Sequence, residues 1–249
     1  MRTRLHPHMR RSRHLRRFVW SRAFTRLEAA ALVGALTVLL VLVLPVIAGD
    51  RARASRMQCL NNLRQIGIGM ALWGDDHRGE PPHHVPYAQG GTMGHPLAAN
   101  AWVHFSYLSN SLPSPKVLFC PSDTGTPAID FSKDPTGGYL HPNFRNRATS
   151  YFLIATYFGD DYRIQSGDRN IYTSGESGST YFKYAPYITY HPIDRAFRWM
   201  PGLHGETGNL LFNDGRVETT DSVRLREVAE GGDDLAAGGG SHMHICVPR

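Results

Sequence analysis

An uncharged apolar run from Ala29 to Ala48 constrains this chain more than any other feature of its sequence. As an α-helix at ~1.5 Å per residue, the run would cover about 30 Å, which matches the hydrocarbon core of a bilayer. We therefore predict a membrane-spanning helix over residues 24–48, with Pro45 near its far end.

The residues before this helix, 1–23, carry charge of one sign. They contain eight arginines and no Asp or Glu. Arginines before an apolar span keep the N-terminus in the cytoplasm, so we expect the C-terminal body to be exported. Removing these eight from the 27 basic residues leaves 19 against 21 acidic ones, so the formal charge of +6 belongs to this leader. The body shows no basic excess, and we expect no nucleic-acid partner.

The start of the apolar helix, Phe24-Thr25 followed by Glu28, resembles the N-terminus of type IV prepilins. In that family a prepilin peptidase removes a basic leader just before a phenylalanine, and the new amino group is methylated. The resemblance implies cleavage between Ala23 and Phe24, although the family almost always has glycine where this chain has Ala23. It also makes Glu28 the fifth mature residue and places the family's helix-bending proline at Pro45.

Glu28 lies at the start of an apolar helix, where an ionisable side chain is unfavourable; at the bilayer centre it costs about 2.5–3.5 kcal/mol. The resemblance implies that its carboxylate pairs with the N-terminal amine of a neighbouring subunit during assembly. The alternative is a glutamate that faces lipid headgroups. Two other interpretations of the span stay open, an uncleaved anchor and a secretory signal cleaved after Val46-Ile47-Ala48, whose apolar core is usually only ~7–15 residues.

Residues 49–76 predict a second, amphipathic part of the helix. Apolar or small residues recur there every three or four positions, at Met57, Leu60, Leu63, Gly67, Met70 and Trp73. Gly74 and the two aspartates after it then favour termination. We predict that this segment is a stalk helix packed on a globular extracytoplasmic head at residues 77–230.

Three cysteines are too few for a disulfide scaffold, but one bridge can form. The segment from Cys59 to Gly67 resembles the stalk of a bacterial subfamily of pilin-like proteins. That subfamily often has a Cys-Pro-Ser-Asp element, which is present here from Cys120 to Asp123. In an exported head, this comparison makes Cys59 and Cys120 the candidates for a disulfide; two packed, unpaired thiols are the alternative.

The head contains short aromatic or β-branched runs separated by Gly, Pro, Asn and Asp. This pattern predicts a mainly antiparallel sheet with long loops, and together with the long N-terminal helix it gives an α+β fold. The polar, glycine-rich segment 159–180 predicts an exposed loop. Residues 231–249 predict a flexible tail.

The segment LHGETGNLLFNDGRVETTD predicts a β-hairpin whose turn is at Asn213-Asp214-Gly215, because Asp-Gly strongly favours tight turns. His204 and Asp214-Gly215, separated by nine residues, also reproduce a C-terminal motif of the same pilin-like subfamily. We expect a structural role for His204, in a hydrogen bond to the turn or to a neighbouring loop.

A metal site is the alternative for this motif. Calcium could lie near Asp214 with His204, completed by Asp123 or Asp75, but calcium needs six to eight oxygen ligands and histidine is a poor one. We therefore expect no metal or other cofactor. Two further groups are weaker candidates for metal binding, namely His83 with His84, and His242 and His244 with Cys246.

The sequence has none of the common motifs of nucleophilic hydrolases, phosphate-binding loops or zinc proteases, and we expect no enzyme. The resemblance implies a structural pilin-like subunit of a type IV pilus or type II secretion pseudopilus, single-pass in the inner membrane with an extracytoplasmic head. Its implied partners are prepilin peptidase, other pilin or pseudopilin subunits, the inner-membrane assembly platform and the lipid bilayer. The alternative is an uncleaved, membrane-anchored binding module for a surface ligand such as a glycan.

Overall fold

A computed structural model describes residues 25–155, 164–172, 187–190, 197–230 and 243–248. The chain divides into two compact units, Met1–Ala48 and Gly49–Arg249. The arginine-rich leader and the predicted cleavage site at Ala23 and Phe24 lie outside the described residues. Helix α1 (Arg26–Asp75) contributes its first part to one unit and its second part to the other.

The first unit contains an apolar helical stretch, Arg26–Leu44, with a mean hydropathy of 2.6. It is the stretch of the described chain that is long and apolar enough to cross a membrane. The large apolar side chains from Leu32 to Leu44 are 40–66% exposed within the unit, so none of them is covered by the chain itself. The predicted apolar helix is therefore present, and by length and composition it could cross a membrane.

The helix begins with a capping box. The backbone N–H and hydroxyl of Thr25 donate to Glu28 Oε2 over 2.9 and 3.0 Å, and the Glu28 N–H donates back to Thr25 Oγ1 over 3.2 Å. These reciprocal bonds satisfy backbone donors that the first turn of a helix otherwise leaves unpaired.

In the second unit, α1 buries one face in a core cluster that also contains Leu153 and Leu211. Cys59, Leu63 and Ile66 on this face have no exposed surface. Leu63, Met70 and Trp73 of the predicted stripe are buried, whereas Met57 is 55% exposed, so the buried face starts beyond Met57.

Residues 49–248 combine helices with antiparallel sheets, which confirms the α+β class. Among the described residues, the other α-helices are α2 (Ala101–Ser106) and α3 (Ser222–Glu230). The strands are β1 (Tyr151–Ile154), β2 (Ile164–Asp168), β3 (Ile171–Tyr172), β4 (Tyr187–Tyr190), β5 (Arg198–Trp199), β6 (Thr207–Phe212), β7 (Val217–Asp221) and β8 (Met243–Cys246). The larger sheet has the order β4-β8-β1-β2-β6-β7, and β3 pairs with β5 in a second sheet.

Strand β1 of the larger sheet is buried on both of its sides. Successive side chains of a strand point to opposite faces of the sheet. In β1, Tyr151 and Leu153 belong to the cluster that contains the face of α1. Phe152 and Ile154 belong to a second cluster, which α3 covers with Leu225. The sheet is therefore the central layer of this unit.

The prediction of a flexible tail is wrong for the end of the chain. Residues 231–242 lie outside the described part, but β8 inserts between β4 and β1 in the larger sheet. Ile245, Cys246 and Val247 are buried, which supplies the apolar surface that keeps this segment in place. The sequence pattern did not indicate this strand, because the strand is short and follows a glycine-rich segment.

The prediction of an exposed loop over residues 159–180 is also wrong in part, since this segment contains β2 and β3. The hydroxyl of Ser166 in β2 is satisfied within the sheet, since it donates to the Phe152 carbonyl over 2.6 Å. At Gly167 an added Cβ would lie 2.8 Å from the Asn209 carbonyl oxygen, so glycine permits the close approach of neighbouring strands here.

Candidate functional site at the disulfide

A disulfide joins Cys59 of α1 to Cys120, across 61 positions of the sequence. Both cysteines are fully buried, and their Cα atoms lie 5.3 Å apart. Cys120 follows a short 3-10 helix, Pro115–Leu118. The bond therefore ties the helix to a loop at the edge of the core.

Hydrogen bonds fasten the same loop independently of the disulfide. The Asn62 amide in α1 donates to the Phe119 carbonyl over 2.9 Å, and the Cys120 N–H donates to Ser150 Oγ over 3.0 Å. The Ser150 hydroxyl in turn donates to Asp123 over 2.6 Å. Cys120 is thus held from both sides.

Asp123, the last residue of the Cys-Pro-Ser-Asp element, forms an ion pair with Arg169, whose Nη2 lies 2.5 Å from Oδ1. The Asp123 side chain is only 2% exposed. Because both oxygens already accept hydrogen bonds, this residue serves as a structural anchor between the Cys120 loop and the segment after β2.

His204 lies directly against the disulfide. Its Nε2 is 3.5 Å from Cys120 Sγ and 3.7 Å from Asp168 Oδ2. Its carbonyl oxygen accepts a hydrogen bond from Arg56 Nη2 of α1 over 3.0 Å. The sequence predicts a hydrogen bond from the His204 ring to the turn or to a neighbouring loop; in the structure the ring contacts the disulfide and Asp168.

Asp168, at the end of β2, is a fully buried carboxyl group that the sequence analysis missed. Its Oδ2 accepts from the backbone N–H and side-chain amide of Asn209 over 2.7 and 2.9 Å, whereas its Oδ1 has no hydrogen-bond partner among the described residues. Burial raises the pKa of Asp168 to about 7, against the opposing effects of Asn209 and Arg56.

Burial also lowers the pKa of His204 to about 4, with a further contribution from the Arg56 charge. The separation of Asp168 and His204 satisfies an ion-pair distance, yet desolvation favours the neutral form of both groups. We therefore interpret the pair as a contact between a neutral imidazole and a carboxyl group that is easily protonated, not as a salt bridge.

Asp214 and Gly215 form the turn between β6 and β7, as predicted. The Arg216 N–H donates to Asp214 Oδ1 over 2.9 Å, and Gly215 has a φ of 79°, which glycine adopts readily. His204 precedes β6 and Asp214 follows it, so a six-residue strand separates them by roughly 20 Å. The structure does not bring them together, and Asp75 lies exposed at the end of α1.

A second buried histidine, His104 on α2, was also missed. A carbonyl can only accept, so His104 Nε2 donates to Ala98 over 2.5 Å, and Nδ1 then accepts from Thr92 Oγ1 over 2.7 Å. Two residues that the sequence singled out lie beside it. Cys246 Sγ is 4.0 Å from His104 Nε2, and the ring centroid of His83 is 6.0 Å away.

His84 lies next to His83, and the two ring centroids are 4.6 Å apart. His84 contacts Glu80 at 3.0 Å on the surface. His242 lies outside the described residues, and only the backbone of His244, within β8, is described. Because both ring nitrogens of His104 have protein partners, we interpret His104 as a satisfied polar group of the core, whereas Nδ1 of the buried His83 has no hydrogen-bond partner among the described residues.

A cleft of about 520 Å³ lies on the outer side of Asp123 and Arg169. Further polar residues such as Asn170 line it, and Tyr172, Met200 and Val247 contribute an apolar wall. It offers a polar end and an apolar wall to a ligand.

No protein family, curated protein or solved structure matches this chain. The roles assigned above therefore rest on the geometry and chemistry of this chain alone.

We predict that replacing both Cys59 and Cys120 by serine lowers the free energy of unfolding by about 4 kcal/mol, because the unfolded chain regains the entropy of an open loop. Denaturant unfolding of the variant and of wild type, each with and without reductant, measures this. Once a thiol assay shows that the disulfide of wild type is reduced, the reductant should have destabilised wild type. It should leave the double variant unchanged. An equal response of the two proteins would contradict a stabilising bridge.

We predict an acid-sensitive contribution from His104, because burial lowers its pKa from 6.5 to about 4. The unfolded state takes up this proton below pH 6.5 and the folded state only near pH 4. The free energy of unfolding should therefore fall by about 3 kcal/mol as the pH falls through this window. Replacing His104 by Gln should flatten the slope by about 1.4 kcal/mol per pH unit. An unchanged slope would show that His104 already titrates normally.

Proposed function

We propose that this protein is a pilin-like subunit of a type IV pilus or type II secretion pseudopilus, inserted in the inner membrane and assembled through α1. The observation that carries this proposal is the apolar stretch Arg26–Leu44, which the chain leaves uncovered and whose sole carboxylate is Glu28. Lipid would cover this surface before assembly, and the equivalent helices of neighbouring subunits would cover it afterwards.

Among the described residues, the contacts of Glu28 bring no positive charge to its carboxylate, which supports an assembly role. Both hydrogen bonds that its carboxylate accepts come from Thr25, an uncharged residue. In an apolar environment, a partner with a positive charge would offset the desolvation of the carboxylate. The N-terminal amine of a processed neighbouring subunit would supply that charge.

The disulfide supports an extracytoplasmic location for residues 49–249, because disulfides persist in oxidising compartments and are rare in the cytosol. The arginines before Phe24 favour a cytoplasmic N-terminus. Together these two features give a single-pass topology. In this arrangement, the partners are prepilin peptidase, the assembly platform and other subunits.

Mass spectrometry of the membrane-extracted protein tests the processing step. We predict a mature chain that begins at Phe24 and carries one methyl group, and we predict that Ala23→Gly increases the processed fraction because it restores the family's usual residue. A chain that keeps its leader in the presence of active peptidase would refute the processed subunit. That result would favour an anchored binding module, whose candidate surface is the cleft lined by Arg169 and Tyr172.

We predict that Glu28→Gln and Glu28→Ala both abolish or strongly reduce incorporation into filaments while leaving membrane insertion intact. Glutamine can still accept the capping hydrogen bonds of Thr25 but has no charge, whereas alanine removes both. Filament fractions sheared from cells and blotted against total membrane protein measure the effect. If Glu28→Gln assembles like wild type while Glu28→Ala fails, the carboxylate acts as a helix cap and not through charge pairing.

A further inference from the structure

The disulfide lies within a group of side chains that contains the ligands zinc prefers. The ligand atoms of Cys59, Cys120 and His204 all lie within 4.8 Å of one another, and all three residues are buried. We propose that, once the disulfide is reduced, these three residues bind Zn²⁺ or a similarly soft divalent cation, beside the buried carboxyl group of Asp168.

Asp168 lies next to His204, one of the three proposed ligands. His204 Nε2 is 3.5 Å from the sulfur of Cys120 and 3.7 Å from the carboxylate oxygen of Asp168. Bonds of about 2.0–2.3 Å around tetrahedral zinc place neighbouring ligand atoms at roughly 3.3–3.8 Å. The same nitrogen therefore faces a sulfur and an oxygen at the spacing of a zinc shell.

Asp168 also gives an independent indication of a ligand. It is fully buried, and its Oδ1 has no hydrogen-bond partner among the described residues. Buried carboxylate oxygens normally have partners, and Oδ1 would gain one from a cation held at His204 or from a water bound to that cation. The oxygen 3.7 Å from His204 Nε2 is Oδ2, which two hydrogen bonds from Asn209 hold in place beside the histidine.

The ligands would stay close together after reduction, because the hydrogen bonds to the Cys120 loop do not depend on the sulfur–sulfur bond. Asn62 holds the Phe119 carbonyl, and Ser150 holds the Cys120 N–H. Two thiolates on one tetrahedral zinc lie ~3.7 Å apart. After reduction, rotation of the two cysteine side chains would bring their sulfur atoms to this separation.

A dithiol can act as the reductant of the Cys59–Cys120 disulfide. The dithiol is oxidised to its own disulfide and transfers two electrons and two protons, which break the Cys59–Cys120 bond and leave two thiols. Binding of Zn²⁺ then displaces both protons to solvent. The two thiolates neutralise the charge of the ion, and Arg56, hydrogen-bonded to His204 O, opposes the remaining charge of Asp168.

The site would give the chain two alternative crosslinks between α1 and the Cys120 loop. The disulfide forms in an oxidising compartment, and the metal bridges the same cysteines where they are reduced. Each state excludes the other, because the sulfur atoms of a disulfide are not thiolates.

Cobalt titration of the full-length chain in detergent micelles tests this proposal, with Co²⁺ as a spectroscopic substitute for Zn²⁺. A phosphine reduces the disulfide under anaerobic conditions, and water supplies the oxygen of the phosphine oxide and the two thiol protons. We expect one Co²⁺ per reduced chain, with sulfur-to-cobalt charge-transfer and tetrahedral ligand-field absorption that Zn²⁺ abolishes. The oxidised chain should show neither.

Variants assign the ligands. Cys59→Ser and His204→Ala should lose the tetrahedral spectrum, Asp168→Asn should weaken Zn²⁺ binding about tenfold or more, and Cys246→Ser should behave like wild type. No sulfur-to-cobalt band in the reduced wild type overturns the proposal. So does a band that survives Cys59→Ser and disappears in Cys246→Ser, since it would belong to the thiol in β8.

Near-ultraviolet circular dichroism covers the case in which the reduced chain loses its packing. Recovery of the native signal on addition of one equivalent of Zn²⁺ supports the site. Metal uptake without that recovery refutes it, because the ligands would then belong to an unfolded chain.

Discussion

The second unit depends on how one face of α1 is held in its core. Leu63 and Ile66 supply fully buried apolar surface, at about 1.5–3 kcal/mol for each side chain of this size. Apolar contacts alone tolerate small shifts of a helix along its axis, because they have little directionality. Three contacts on the same face remove that freedom, a hydrogen bond from Arg56, the disulfide at Cys59 and a hydrogen bond from Asn62. They recur every three residues, so a shift by one residue would break all of them together.

The receiving side of this contact is organised by β6. The turn at Asp214 and Gly215 fixes one end of the strand, and His204 precedes the other end, where its ring touches the disulfide and its carbonyl accepts from Arg56. The nine residues between His204 and Asp214 therefore set the distance along β6 between the end of the strand at the disulfide and the end at the turn. In this structure, the motif positions a strand against the crosslink and does not assemble a shared ligand set.

Features that depend on neighbouring residues could be predicted from the sequence. The turn at Asp214-Gly215 follows from the conformational preferences of two residues, and the apolar span follows from composition over residues 29–48. The pairing of Cys59 with Cys120 came from a resemblance and not from the residues themselves, because no local pattern indicates the distance between two cysteines far apart in the chain.

The residues that complete the site could not be predicted, because their hydrogen-bond partners lie far away in the sequence. Asp168 ends a polar strand whose hydrogen-bond partners, such as Asn209, lie about forty residues further on. Taken alone, that polar segment favours a loop, since an unpaired polar strand in a core is unfavourable. Likewise, β8 is a strand only because β1 and β4 lie on either side of it. A polar or short segment becomes central to a sheet when its partners satisfy it, so the site around His204 is defined by strand pairing and no local pattern indicates it.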